Sequence, residues 1–229
     1  KLTIGMPSYY DYSGVIFTLK CLLDKLEKEW PNYSNEVEIL IVDNTSGKQY
    51  RETTEREVKS FGKPNVRYLV YTAERGPAEV KNRVVQNAIG EFTLCLDCHV
   101  ILKDGVLAKL REFLNGISEQ ESLDFYTGPL QSNSGALHTH FEPVWRNQMW
   151  GVWSSDNSIL SSKTPVKVWG QGCGLFLVRT VDWLGFNKHF KHFGAEEGYI
   201  HEKYRSFGRQ VKCIPWLVWW HRFYNPDAK

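Results

Sequence analysis

No apolar run in this sequence approaches the roughly 20 residues that a membrane-spanning helix requires, which excludes a helical membrane span. No basic, then apolar, then small-residue leader is read at its start. The first residue is Lys1, so a fragment or trimmed piece of a longer protein is expected. Cysteine is scarce and scattered, at Cys21, Cys95, Cys98, Cys173 and Cys213, which argues against a disulfide framework and for a reducing, cytoplasmic setting. An excess of charge of one sign is also missing. The 28 basic and 26 acidic side chains give a net charge of +2, too little for bulk attraction to nucleic acid or membrane, although a local basic patch stays open. Internal repeats and low-complexity tracts are absent. Aromatic residues are not lacking: they reach 14%, nine of them Trp, enough to build a core and leave faces for stacking. With 229 residues the chain suffices for one large domain, read here as residues 1–229 with halves at 1–100 and 101–229.

The first half alternates strand and helix patterns. Leu2–Met6 reads as a buried strand, and Ser13 opens a helix with apolar positions at Val15, Ile16, Leu19, Leu22, Leu23, Leu26 and Trp30, near the 3.6 period. Val37–Val42 is a continuous apolar run, as in a strand covered on both faces. A polar loop, Asp43 to Gly47, precedes a charged helix over Gln49–Phe61 and a strand at Val66–Val70. Gly76-Pro77 then starts a helix over Ala78–Ile89, Pro favouring its first turn. Phe92–Leu96 is a fourth strand, and Gly105–Asn115 another helix. This alternation predicts an α/β fold with a mostly parallel sheet and right-handed crossovers, whose ligands sit beyond the carboxyl ends of the strands. Gln131–Gly170 shows little periodicity and reads as a functional loop or lid. After a Gly-rich turn at Gly170–Gly174 come a strand at Leu175–Val178, a helix at Tyr199–Phe207 and one last strand over Val211–Trp220, ending at His221.

Asp97 and His99 follow the fourth strand directly. Residues two apart on an extended backbone point to one side, so a carboxylate and an imidazole meet at one place. That pair suits a divalent cation that must also hold a phosphate. If the cation carries a nucleotide diphosphate, the chain is a sugar-transfer enzyme. A competing motif overlaps it: Cys95-Leu96-Asp97-Cys98-His99 matches the pattern for covalent haem attachment. Residues three apart on a strand face opposite ways, so the two sulfurs are expected to diverge and bind neither haem nor zinc.

The stretch GPAEVKNRVVQNAIGEFTLCLDCH, from Gly76 to His99, resembles the GT-A glycosyltransferases of the broad family 2 kind. It is similar to their glycine, Arg-Asn helix, Gly-Glu-aromatic turn and Asp-x-Asp strand end. Lys81-Asn82 stands where Ala-Arg-Asn normally runs, and Asp97-Cys98-His99 replaces Asp-x-Asp. An Asp-x-His there is similar to the polypeptide N-acetylgalactosaminyltransferases. Phe193-Gly194-Ala195-Glu196-Glu197 resembles both their Trp-Gly-x-Glu segment and the Glu-Asp pair of family 2.

The resemblance implies a GT-A, Rossmann-like sheet flanked by helices with a smaller acceptor-side region, and a division of labour. Pro7 and Tyr9 line the nucleotide pocket, Asp43 bonds the base or ribose, and Lys81 reaches the diphosphate or sugar. Asp97 and His99 hold Mn²⁺ or Mg²⁺ with His221 as third ligand, while Glu196 and Glu197 face the acceptor. The ion stabilises charge on the leaving diphosphate. The donor is a nucleotide-diphosphate sugar, a UDP-sugar by preference, and the acceptor a hydroxyl. If the anomeric centre inverts, Glu197 or Glu196 takes the acceptor proton; if configuration is retained, the pair positions donor or acceptor.

The acceptor is expected beside Trp145, Trp150, Trp153 and Trp169, with scattered positive charge from Arg205, Arg209, Lys212 and Arg222. A glycan or small hydroxylated molecule is the first expectation. A modified base in DNA is the alternative, since stacking plus phosphate contacts uses the same residue types. A non-catalytic nucleotide-sugar or glycan binding module is the reading from another class, disfavoured by the intact acidic and metal pairs. A nucleotidyltransferase lacks its Gly-rich phosphate loop here, because Met6-Pro7-Ser8-Tyr9-Tyr10 follows the first strand. Lys188-His189 and Lys191-His192 read as a solvated face.

Overall fold

The computed structural model describes residues 1–72, 76–146, 149–191 and 194–222. In chain order the first half contains β1 (Leu2–Ser8), α1 (Tyr12–Glu29), α2 (Tyr33–Glu36), β2 (Val37–Asp43), α3 (Lys48–Ser60), β3 (Val66–Val70), α4 (Pro77–Asn87) and β4 (Phe92–Leu96). Then follow β5 (Val100–Leu102), α5 (Val106–Gly116), β6 (Phe125–Thr127), β7 (Leu130–Gln131), β8 (Leu137–His138), β9 (His140–Arg146) and β10 (Met149–Ser154). The chain continues through α6 (Asn157–Ser161), β11 (Val166–Lys167), β12 (Leu175–Arg179), α7 (Glu196–Ser206), β13 (Val211–Cys213) and β14 (Trp219–His221).

Eight strands form one sheet in the order β11-β13-β6-β12-β4-β1-β2-β3. The pairs β1–β2, β1–β4 and β2–β3 are parallel, as the alternating pattern predicts. On the other side β12 runs antiparallel to both β4 and β6. The sheet thus draws strands from both halves of the chain. Alternate residues of β2 enter different cores: Ile39 and Ile41 join the layer under α1 and α5, Leu40 and Val42 the layer under α4 and α7. That two-sided burial explains the unbroken apolar run. On α1, Leu19, Leu22, Leu23 and Leu26 are buried against the sheet, each contributing roughly 1.5–3 kcal/mol of transfer free energy. Cys95 and Cys98 lie in opposite cores, so their sulfurs do diverge.

The second half departs from the sequence reading in three places. The expected last strand is two strands in different sheets, because Pro215 has no N–H to donate and Leu217 N–H turns back to Ile214 C=O. Strand β13 stays in the large sheet, while β14 joins a four-stranded sheet in the order β5-β14-β7-β8. The aperiodic segment is not structureless. It holds an antiparallel arm, β9–β10, whose 140–146 side chains are mostly exposed, which is why no core-facing alternation marks it. Helix α7 starts at Glu196 instead of Tyr199, after Ala195 in the left-handed region at φ 67°. No helix among the described residues is long and apolar enough to cross a membrane.

Candidate active site

Asp97 leaves the carboxyl end of β4, its N–H held by Gly174 C=O at 2.9 Å. Its Oδ1 lies 3.1 Å from the Lys81 ammonium, which rises from the buried face of α4. The same ammonium donates to Cys173 C=O at 2.8 Å. Burial opposes the Lys81 charge, but Asp97, foremost among its neighbours, holds its pKa above the ordinary lysine value. Lys81 is therefore a fixed positive charge at the end of the strand.

His99, two residues past Asp97, meets it on one side, but through a turn closed by Val100 N–H donating to Asp97 C=O at 2.9 Å and not through the extended backbone expected from the spacing. His221 reaches the same point from β14. Their Nε2 atoms are 3.1 Å apart, and His221 Nε2 lies 3.9 Å from Asp97 Oδ2. Asp97, His99 and His221 each offer one ligand atom within 4.8 Å of the others. His99 Nδ1 is 2.7 Å from Asp11 Oδ2. Burial raises the Asp11 pKa, yet its hydrogen bond and charge interaction with His99 outweigh that, and the net shift is downward. An ionised Asp11 only accepts, so His99 Nδ1 carries the proton, and in the neutral ring Nε2 presents a lone pair. Burial and then His99 push the His221 pKa down to about 4, so this ring is neutral at pH 7. One carboxylate and two imidazoles fit Mn²⁺ or Mg²⁺, the carboxylate matching hard cations and the nitrogens favouring Mn²⁺. Asp11, Cys98 and His99 also meet the distance test. That grouping is the poorer one, because burial first, then Asp11, raise the Cys98 thiol well above its usual range, keeping it protonated.

The three donors open onto a cavity of about 730 Å³. Pro7, Ser8, Tyr9 and Asn44 line it, with Gly76, Pro77, Val80 and Lys81 from the start of α4 and with the aromatic Phe141, Trp153 and Trp219. Trp153 meets Phe141 edge to face at 4.4 Å. Glu196 and Glu197, in the first turn of α7, complete the lining. Glu196 is buried and accepts from Gly194 N–H at 2.8 Å. Burial, and then Glu196 beside it, raise the Glu197 pKa, with Lys81 pulling the other way.

Of the residues expected from sequence, Pro7, Tyr9, Lys81, Asp97, His99, Glu196, Glu197 and His221 thus share one cavity. Asp43 does not. It is fully buried, Oδ1 accepting from Thr45 N–H at 2.8 Å and Oδ2 from the Tyr68 hydroxyl. Both oxygens are used by the fold, and the cavity-facing neighbour is Asn44. Sequence reasoning also missed Asp11, whose partner His99 lies 88 residues away in sequence. The four basic side chains expected near the acceptor do not form a free patch. Arg205 pairs with Glu202, Arg209 with Asp182, Lys212 with Asp124 and Arg222 with Asp11. Trp169 packs against Arg205 and not into the cavity, Trp145 is exposed on the arm, and the Trp150 side chain, His192 and Phe193 lie outside the described residues.

The sequence model of Glycosyl transferase family 2 matches residues 3–152. No curated protein matches the chain. Among solved structures, GalNAc-T7 with UDP, GalNAc and Mn²⁺ superposes with a TM-score of 0.75 at 16% identity, over 100% of this chain and 45% of that one. The mannosyltransferase PcManGT from Pyrobaculum calidifontis, with GDP-Man and Mn²⁺, gives 0.63 at 16% identity, over 98% of this chain and 57% of that one. TarS 1–349 of S. aureus with UDP-GlcNAc gives 0.61 at 16% identity, over 100% and 61%. The chain therefore spans about half the length of the structures it resembles and shares with them the GT-A fold.

Proposed function

The chain belongs to glycosyl transferase family 2, and we propose that it transfers a sugar from a nucleotide-diphosphate donor to a hydroxyl acceptor, with a divalent cation held by Asp97, His99 and His221. The convergence of those three donors on one cavity beyond β4 carries this reading. Mn²⁺ is favoured by the two imidazoles, and UDP by the solved structures with UDP or UDP-GlcNAc in similar folds. When bound, the cation supplies charge neutralisation to the leaving diphosphate. Lys81 adds a buried positive charge 3.1 Å from Asp97, preorganised for the same developing charge. Pro7, Tyr9 and Asn44 line the nucleotide side. Glu197 accepts the acceptor's proton: its raised pKa brings it closer to the operating pH, where a general base works best. Glu196 fixes the helix start through Gly194 and keeps Glu197 basic by repulsion.

Trp153, braced by Phe141, offers an aromatic ring in the cavity lining, suited to a sugar ring. Because the basic residues nearby are paired within the chain, a glycan or small hydroxylated acceptor is favoured over a DNA strand. Nucleoside diphosphates and Mn²⁺ added together should raise the melting temperature, since ligand stabilisation grows as the logarithm of concentration over Kd. EDTA should remove most of that shift. Glu197→Gln should keep the shift and lose about 10²–10⁴-fold of Mn²⁺-dependent donor turnover. No shift with any nucleotide would end the enzyme reading.

A further inference from the structure

Asp11 ties together the two strand ends that bring the histidines. Oδ2 accepts from His99 Nδ1 at 2.7 Å, while Oδ1 accepts from Arg222, the residue after His221, at 3.3 Å. Arg222 in turn donates its backbone N–H to His99 C=O at 3.0 Å. The carboxylate is anchored, being 2% exposed and held by Gly14 N–H as the N-cap of α1. Cys98 Sγ, 3.4 Å from Oδ2, completes its surroundings.

We propose that Asp11 is a positioning residue: it holds the proton of His99 on Nδ1 and turns Nε2, as a bare lone pair, toward Asp97 and His221. It rests on the reading of those three residues as the cation's ligands. A metal-bound imidazole needs its second nitrogen fixed by an acceptor, and loss of such a partner typically weakens the metal 10–100-fold. Here the acceptor comes from the β1–α1 loop, which follows a different strand of the large sheet from the one that delivers Asp97 and His99.

The test separates positioning from mere support of the helix. Asn and Ser both cap helices well, so Asp11→Asn and Asp11→Ser keep that role. Neither fixes the proton, Asn because its amide offers N–H as well as oxygen and Ser because it is too short. Calorimetric titration with Mn²⁺, at a temperature where melts show both variants folded, should show about 10–100-fold weaker binding in both variants. Nitrogen-15 NMR of the metal-free protein should show His99 protonated on Nδ1 in wild type and a mixture in Asp11→Ser. Wild-type His99 protonated on Nε2 would overturn the inference, as would variants that bind Mn²⁺ as tightly as wild type. A wild-type protein that takes up no Mn²⁺ would overturn the ligand reading and the inference with it.

Discussion

Asp43 and Asn44 show how one residue of register decides between framework and pocket. Asp43 ends β2 with both oxygens committed to Thr45 and Tyr68, whereas Asn44 faces the cavity. Asp43→Ala should therefore cost about 1–3 kcal/mol of stability by stranding buried donors, with nucleotide affinity changed less than twofold. Asn44→Ala should do the reverse, weakening nucleotide while leaving urea midpoints near wild type. Parallel urea and nucleotide titrations read both. The sequence marks the strand end but not which side chain is consumed there, because Tyr68 comes from the neighbouring β3. Asp97 and His99 were legible because both follow directly on the apolar run of β4, although a turn from Asp97 to Val100, and not an extended backbone, brings them to one side. Asp11 was not, since nothing local links a loop after β1 to a histidine after β4.

At the scale of elements, β1, β2 and β4 were legible because each is buried along its length and reads as a mostly apolar run. The β9–β10 arm was not, since its 140–146 side chains are mostly exposed, nor was the split between β13 and β14, since those three-residue strands pair with distant segments. Strand β14 depends on a close approach at Gly128. A Cβ there would lie 1.8 Å from Leu217 O, and Gly128 C=O accepts from the Trp219 indole at 2.6 Å. Gly128→Ala forces the turn before β14 outward and should cost about 2 kcal/mol or more. Circular dichroism melts should show the loss, and Mn²⁺ titration of the still-folded fraction should show a weaker site, because β14 carries His221.

The whole molecule should lose stability toward acid through two histidines, His201 buried and His221 half-buried. Burial and then His99 hold His221 down to about 4, and burial with Arg205 holds His201 down to about 3. Both ring nitrogens of His201 lack a hydrogen-bond partner among the described residues. Unfolded, each titrates near 6.5, so between pH 6.5 and 4 the unfolded chain binds protons that the folded chain refuses. Stability from these groups is complete above pH 6.5 and declines as pH falls, by up to roughly 1.4 kcal/mol per pH unit for each histidine. Urea unfolding of the metal-free protein from pH 7.5 to 4.5 should follow this slope, and His201→Leu should flatten it. The proposed ligands also bridge an architectural seam. Asp97 follows directly on a strand of the large sheet, whereas His221 belongs to the small one. Grip on an ion lodged at that seam becomes a gauge of how firmly the two layers are seated. A substitution far out in the small sheet that tilts β14 is then felt as looser chelation, though every donor atom is still in place.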